Sequence, residues 1–247
     1  MGTDKAYKLL AIQEGISNSK AKELIDKGVV TCQGKKVLIA RGEISDKSVF
    51  KIKDVAPVKV IFQDNDILAV DKPAFLSASE VEEMFPHAKL LNRLDKETSG
   101  VMLMAKNDEF RGKAIKEFMD NKVYKEYVAI VEGKVIDEFK VDLPILTIKG
   151  QTAKSKIDPV KGKSALTMVE PYMVEGNKSK IKVVIENGRT HQIRVHLQHA
   201  GFPIIGDLQY GKPSNQVQRV MLHSKITKIL GYEFEAREPR EFYHFGF

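Results

Sequence analysis

From Leu91 to Gly100 the chain reads Leu91-Asn92-Arg93-Leu94-Asp95-Lys96-Glu97-Thr98-Ser99-Gly100, and the apolar run Val101-Met102-Leu103-Met104-Ala105 follows. Arg93 and Lys96 lie within two residues of Asp95, and neighbouring cations favour the ionised form of a carboxylate. An acid kept charged in a polar loop at the mouth of a buried strand can serve as nucleophile or base. By residue type alone, an ordinary surface ion pair is the stronger reading. A second polar cluster weighs against it: Asn187-Gly188-Arg189-Thr190-His191-Gln192-Ile193-Arg194-Val195-His196. An arginine of this cluster, buried beside Asp95, would hold the carboxylate charged and oriented. Arg194 is the preferred partner; its rival Arg189 lies at a Gly-Arg turn and suits a phosphate better. His191, His196 and His199 invite a metal. However, five helical residues turn about 140°, so the three do not share one helix face, and no cysteine or carboxylate pattern completes a ligand set. Nucleic-acid or packing contacts are expected there, and no metal. Tyr127 sits in an apolar stretch, where a phenol usually packs in the core with its hydroxyl satisfied. Tyr124, three residues earlier, points to the other strand face and reads as core.

The elements that must position these residues follow from hydrophobic periodicity and turn chemistry. Val58 to Phe62 and Ile67 to Val70 read as strands around an Asp64-Asn65-Asp66 turn. Asn107-Asp108 caps an amphipathic helix to about Met119, with Phe110, Ala114 and Phe118 on its apolar face. Tyr124 to Val131, Ser164 to Glu170 and Ile181 to Ile185 read as strands. Thr190 to His199 reads as a helix with Ile193, Leu197 and Ala200 on one stripe and Gly201 as its stop. Long antiparallel strands with inserted helices make this an α+β domain and not a βαβ repeat. Ahead of it, residues 1–55 read as a separate small α/β module. Ala6 to Ile12 and Ser19 to Asp26 are its helices, with Ser17 or Asn18 as a cap. A strand starting near Gly28 turns at Gln33-Gly34 into Lys36-Val37-Leu38-Ile39, and Val49 to Ile52 closes the sheet. Ala56-Pro57 is the linker, and residues 58–247 form the second domain.

The chain has 247 residues, 43% hydrophobic, enough for a large core in one or two domains. Forty Lys and Arg against 33 Asp and Glu give a net charge of +7, which suggests nucleic acid or an anionic surface. Residues 1–55 hold eleven Lys and Arg and seven Asp and Glu, a net +4 of that excess. No apolar run approaches a membrane span, and the N-terminus lacks a signal-peptide core. One cysteine allows no intramolecular disulfide and no zinc cluster. A soluble, cytoplasmic, monomeric protein without membrane contact is the expectation.

These motifs resemble the RluA-type pseudouridine synthases. That family carries His-Arg-Leu-Asp-x-x-Thr-Ser-Gly, here Asn92 to Gly100, with Asn92 where the family usually has His. Its Lys-x-Tyr-x-Ala-x-x-x-Gly appears from Lys125 to Gly133, and its Gly-Arg-Thr-His-Gln-Ile-Arg-Val-His from Gly188 to His196, continuing into Gly206-Asp207. Asp66 to Pro73 also fits, so the resemblance runs from about residue 58 to the C-terminus. It implies a largely antiparallel mixed-sheet catalytic domain that isomerises uridine to pseudouridine in RNA. The glycosidic bond breaks, the base turns over and rejoins through carbon, and no redox cofactor or metal is required. It also implies Asp95 as the catalytic carboxylate, attacking sugar or base or removing a ribose proton, with Tyr127 against the uracil and Arg194 completing the catalytic set. The target must leave its stack, and Arg93 would fill the gap or bind phosphate, unless it merely pairs with Asp95. Arg189 and His191 join it as RNA contacts. Residues 1–55 resemble the S-four type RNA-binding module of a small-subunit ribosomal protein, through Gly15-Ile16-Ser17-Asn18-Ser19-Lys20-Ala21 and Gly28-Val29-Val30. Asn18 replaces that module's usual Arg, leaving Lys20, Lys22, Lys27 and Arg41 to meet phosphate, or to form a merely solvated face. The pairing of the two modules implies large-subunit ribosomal RNA ahead of transfer RNA. Two rivals stand beside this reading: a non-catalytic ribosome-assembly factor, to which Asn92 gives weight, and a base-removing hydrolase.

Overall fold

A computed structural model describes residues 2–148, 150, 153–214 and 216–247. They divide into two compact units, one ending at Pro57 and the other beginning at Val58. In the first, helices Ala6–Glu14 and Asn18–Lys27 are each closed by a left-handed glycine, Gly15 and Gly28. The Ser17 side chain caps the second helix by accepting from the Lys20 N–H at 3.1 Å. Strand Val30–Cys32 pairs antiparallel with Lys35–Lys36 and Phe50–Ile52. Gln33 and Gly34 both take positive φ, as a tight two-residue hairpin turn requires. The strand expected to continue to Ile39 stops at Lys36. Beyond it Val37 keeps one bond to Val30, the chain turns at Ile39–Gly42, and Leu38 and Ile39 stand exposed. A further pair, Thr3–Lys5 with Glu43–Ser45, is too short and polar to show a sequence period.

The second unit is built on a ten-stranded mixed sheet. Its main path runs Phe139–Asp142, Leu166–Glu175, Lys178–Ile185, Tyr124–Glu132, Leu222–Ile229, Ser99–Ala105, Ile67–Lys72, Lys59–Gln63. All pairings are antiparallel except Leu222–Ile229 with Ser99–Ala105. This is the α+β class with a largely antiparallel mixed sheet. Ser99–Ala105 is buried at all seven positions, the pattern of a strand covered on both faces. Val101, Leu103 and Ala105 share a core with Phe110 and Ala114 of the helix Asp108–Met119, whose cap is the Asn107 side chain. Fully burying an aliphatic side chain of this size contributes about 1.5–3 kcal/mol, so this layer fixes the strand that leads out of the Asp95 loop. Leu166–Glu175 runs five residues past the expected end. It passes Pro171, which has no N–H, through a register shift before Met173. Among the described residues no helix is long and apolar enough to cross a membrane.

Candidate active site

The loop bearing Asp95 is fixed at its C-terminal end by a close strand contact. Gly100 pairs with Ser224 across the parallel strands. Its φ is +114°, and a Cβ there would lie 2.0 Å from the Ser224 carbonyl oxygen, so no other residue fits. Ser99 Oγ and His223 Nδ1 meet at 2.9 Å beside it. Two buried cations then brace the loop, through the carbonyls of Lys96 and Glu97 and of the neighbouring chain. Lys72 Nζ donates to the carbonyls of Leu76 (2.7 Å), Pro73 (3.0 Å) and Lys96 (3.3 Å). Arg219 donates to the carbonyl of Glu97 at 3.2 Å and to the Glu241 carboxylate at 3.0 Å. Burial pulls the Lys72 ammonium down to about 7, and the Asp95 charge opposes it. Lastly, the Thr98 N–H donates to the Asp95 carbonyl at 3.0 Å.

Arg194 comes to this carboxylate from the helix Gln192–His199. Its Nε and Nη2 donate to the two oxygens of the fully buried Asp207, at 2.7 and 2.9 Å, and its Nη1 donates to Asp95 Oδ2 at 3.0 Å. The two-pronged pair with Asp207 fixes the guanidinium plane, and Asp207 is further satisfied by the N–H groups of Gln209 and Tyr210. Burial disfavours the charge on Arg194, but Asp207 and Asp95 outweigh it and hold its pKa above the ordinary value. The helix starts at Gln192, two residues later than the periodicity suggests. His191 adopts a left-handed conformation (φ 55°) that turns the chain into the helix, and Gln192 Oε1 accepts from the Arg189 N–H. Lys125 ties down the approach to this turn by donating to the Glu186 carbonyl at 2.6 Å.

Tyr127 enters from the strand Tyr124–Glu132, where the register against Leu222–Ile229 shifts between Glu126 and Tyr127. Such a bulge re-aims a side chain. Burial pushes the phenol up to about 12; the nearby Ser224 hydroxyl lowers it and the Asp95 charge raises it. Asp95, Tyr127 and Arg194 line an open cleft, with Leu94, Ile185 and Leu222 as apolar wall and Arg93, Arg189 and His191 also lining it. A cleft with apolar walls and a few convergent polar groups suits a planar, hydrogen-bonding ligand.

Of the two arginines weighed as partner to Asp95, Arg194 makes the contact, while Arg189 Nε donates to the Ser164 carbonyl at 3.0 Å. Arg93 is exposed, and the pairing with Asp95 that its sequence position allowed is absent among the described ion pairs. His191 lies against Asp95, whereas His196 is buried, bonded to Thr167 Oγ1 and the Leu143 carbonyl. Tyr124 departs from its core assignment: it is half-buried, and its hydroxyl donates to Glu126 at 2.7 Å. Asn92 Oδ1 accepts the Leu103 N–H at 2.7 Å, so this departure from the family motif does backbone work. Lys20, Lys22, Lys27 and Arg41 belong to the N-terminal unit and do not form one patch. Lys20 and Lys27, seven apart, share a helix face, whereas Lys22 lies about 160° from Lys20, its ammonium over the Tyr7 ring; Lys20 pairs with Glu23. Sequence reasoning missed Lys72, Arg219 and Tyr210. Lys72 had one signal, a lysine ending an apolar strand in Asp71-Lys72-Pro73; Arg219 had none.

Comparison with known proteins agrees with this architecture. The sequence pattern of the family described as RNA pseudouridylate synthase matches residues 57–199. A Helicobacter pylori (strain J99) protein named uncharacterized RNA pseudouridine synthase is 48% identical over 97% of this chain and 99% of its own length. The ribosomal large subunit pseudouridine synthase D of Pasteurella multocida is 28% identical over 83% of this chain and 73% of its own. Among solved structures, human RNA pseudouridylate synthase domain containing 1 superposes with a TM-score of 0.64 at 26% identity, covering 75% of this chain and 84% of that one. With the match spanning more than half of the chain and the near relative almost all of it, the protein belongs to the RNA pseudouridine synthase family of enzymes.

Proposed function

We propose that this enzyme isomerises uridine in structured large-subunit ribosomal RNA, with Asp95 as the catalytic carboxylate and Tyr127 and Arg194 completing the catalytic set. The observation that carries the reading is the Asp95–Arg194–Asp207 chain at the edge of an open cleft. Arg194 is locked by Asp207 and presents a fixed cation to one oxygen of Asp95. A fixed cation orients the acid without mobile water having to reorganise. A uridine leaves its stack to reach Asp95, and exposed Arg93 occupies the vacated space or a phosphate. Arg189 at the cleft meets the backbone. Tyr127 lies across the flipped uracil; burial pushes its phenol up to about 12, which favours the protonated form as a hydrogen-bond donor to the base.

The target follows from resemblance and charge. The relative from Pasteurella carries a large-subunit name, and residues 1–55 hold +4 of the chain's +7. In this reading residues 1–55 are an S-four-like RNA-binding domain and residues 58–247 the catalytic domain. Lys20, Lys27 and Arg41 supply phosphate contacts in the first, with Lys22 on the other face of the helix that carries Lys20 and Lys27. Mapping pseudouridine across all RNA from cells with and without the protein tests the target. Loss confined to large-subunit ribosomal RNA is expected; loss confined to transfer RNA would overturn the target and leave the chemistry.

A further inference from the structure

Tyr210, outside the sequence motifs, lies within hydrogen-bond reach of His191. The Ser155 N–H donates to the Tyr210 hydroxyl at 2.7 Å, and that hydroxyl lies 2.9 Å from His191 Nδ1. Ser155 fills one lone pair of the Tyr210 oxygen, whose proton is in reach of His191 Nδ1. Donation by the phenol puts the His191 proton on Nε2. That nitrogen lies 3.8 Å from Asp95 Oδ2, the same oxygen that Arg194 Nη1 holds at 3.0 Å. The two rings meet edge to face, with centroids 5.5 Å apart, and Arg194 lies over the face of Tyr210 at 5.0 Å. Among the described residues Asp95 Oδ1 has no hydrogen-bond partner. Burial first, then Arg194, keeps the imidazole pKa below its ordinary value against the pull of Asp95 and Asp207, in keeping with a neutral ring.

We propose that His191, oriented by Tyr210, is a positioning residue: its Nε2–H and Arg194 together claim Asp95 Oδ2 and turn Oδ1 toward the uridine. This departs from reading His191 as an RNA contact, and it rests on Asp95 being the catalytic carboxylate. A 3.8 Å separation is beyond a hydrogen bond in the free protein, and catalytic contacts of this kind tighten when the substrate is bound.

The test uses the full chain with excess enzyme over unmodified total RNA from cells lacking the protein, following pseudouridine formed against time and enzyme concentration. Tyr210→Phe should lower the saturating rate roughly 10- to 100-fold, the cost of a small misplacement, with the half-saturating enzyme concentration unchanged. His191→Gln, whose amide N–H reaches the same place, should retain more rate than His191→Leu; neither side chain favours the left-handed backbone, so that cost is shared. Imidazole nitrogen spectra should show a protonated Nε2 and bare Nδ1 in the parent, and mixed tautomers in Tyr210→Phe. A weaker half-saturation at unchanged rate would make His191 an RNA contact and overturn the proposal. Equal losses in Gln and Leu, or a protonated Nδ1 in the parent, would also overturn it. Asp95→Asn, assayed alongside, separates the two layers: turnover by that variant removes the underlying reading whatever the His191 variants do.

Discussion

At the scale of single residues, the site divides its charges by duty. Arg194 and Asp207 neutralise one another in the interior, where an unpaired charge would cost several kcal/mol. An N–H on Nη1 of Arg194 then orients Asp95. Arg93 and Arg189 share the same cleft and suit phosphate. Tyr127 has one polar atom, and its phenol stays protonated at neutral pH. Tyr127→Phe keeps the stacking ring and removes that donor. The single-turnover rate should fall on the order of 10²-fold, while RNA affinity measured by filter binding changes less than about threefold, the low end for one lost hydrogen bond. If affinity collapses and the rate survives, Tyr127 is a binding residue.

At the scale of elements, the site depends on one strand contact. Gly100→Ala puts a methyl into the Ser224 carbonyl and strains a φ of +114°. The backbone term alone costs about 1–3 kcal/mol, or roughly 2–12 °C in Tm for a domain of this size. Scanning calorimetry should show that fall together with lost turnover, because the same strand start carries the Asp95 loop. Gly112→Ala is the control: it lies mid-helix with open space around it, so the change should hold or raise Tm. An unchanged Gly100→Ala protein would mean the strands part freely. The helix Asp108–Met119 and the strands around Asp64–Asp66 were legible because period, cap and turn residues agree locally. Leu222–Ile229 was not, since buried His223, Ser224 and Thr227 break any apolar run. Of the site, Asp95 and Arg194 were legible by motif. Lys72, Arg219 and Tyr210 reach the site across 19 to 122 residues, on backbone atoms or through other side chains, and no spacing rule reports such contacts.

At the scale of the whole molecule, charge is concentrated in the N-terminal unit, and each phosphate it neutralises releases counterions. Removing residues 1–57 should weaken binding to structured RNA and flatten the slope of log affinity against log salt, with Asp95, Tyr127 and Arg194 all retained. An unchanged slope and affinity would make those lysines a solvated surface. The central claim, that this protein turns uridine into its isomer through Asp95, is met most directly by one comparison. Wild type and Asp95→Asn, both full length, act on unmodified total RNA under single turnover, and pseudouridine and released uracil are both counted. Wild type should form pseudouridine with no free base and no change in RNA mass. Asp95→Asn, folded and still binding RNA, should form none above background. Substantial pseudouridine from a folded Asp95→Asn protein, or uracil released by wild type, would contradict it.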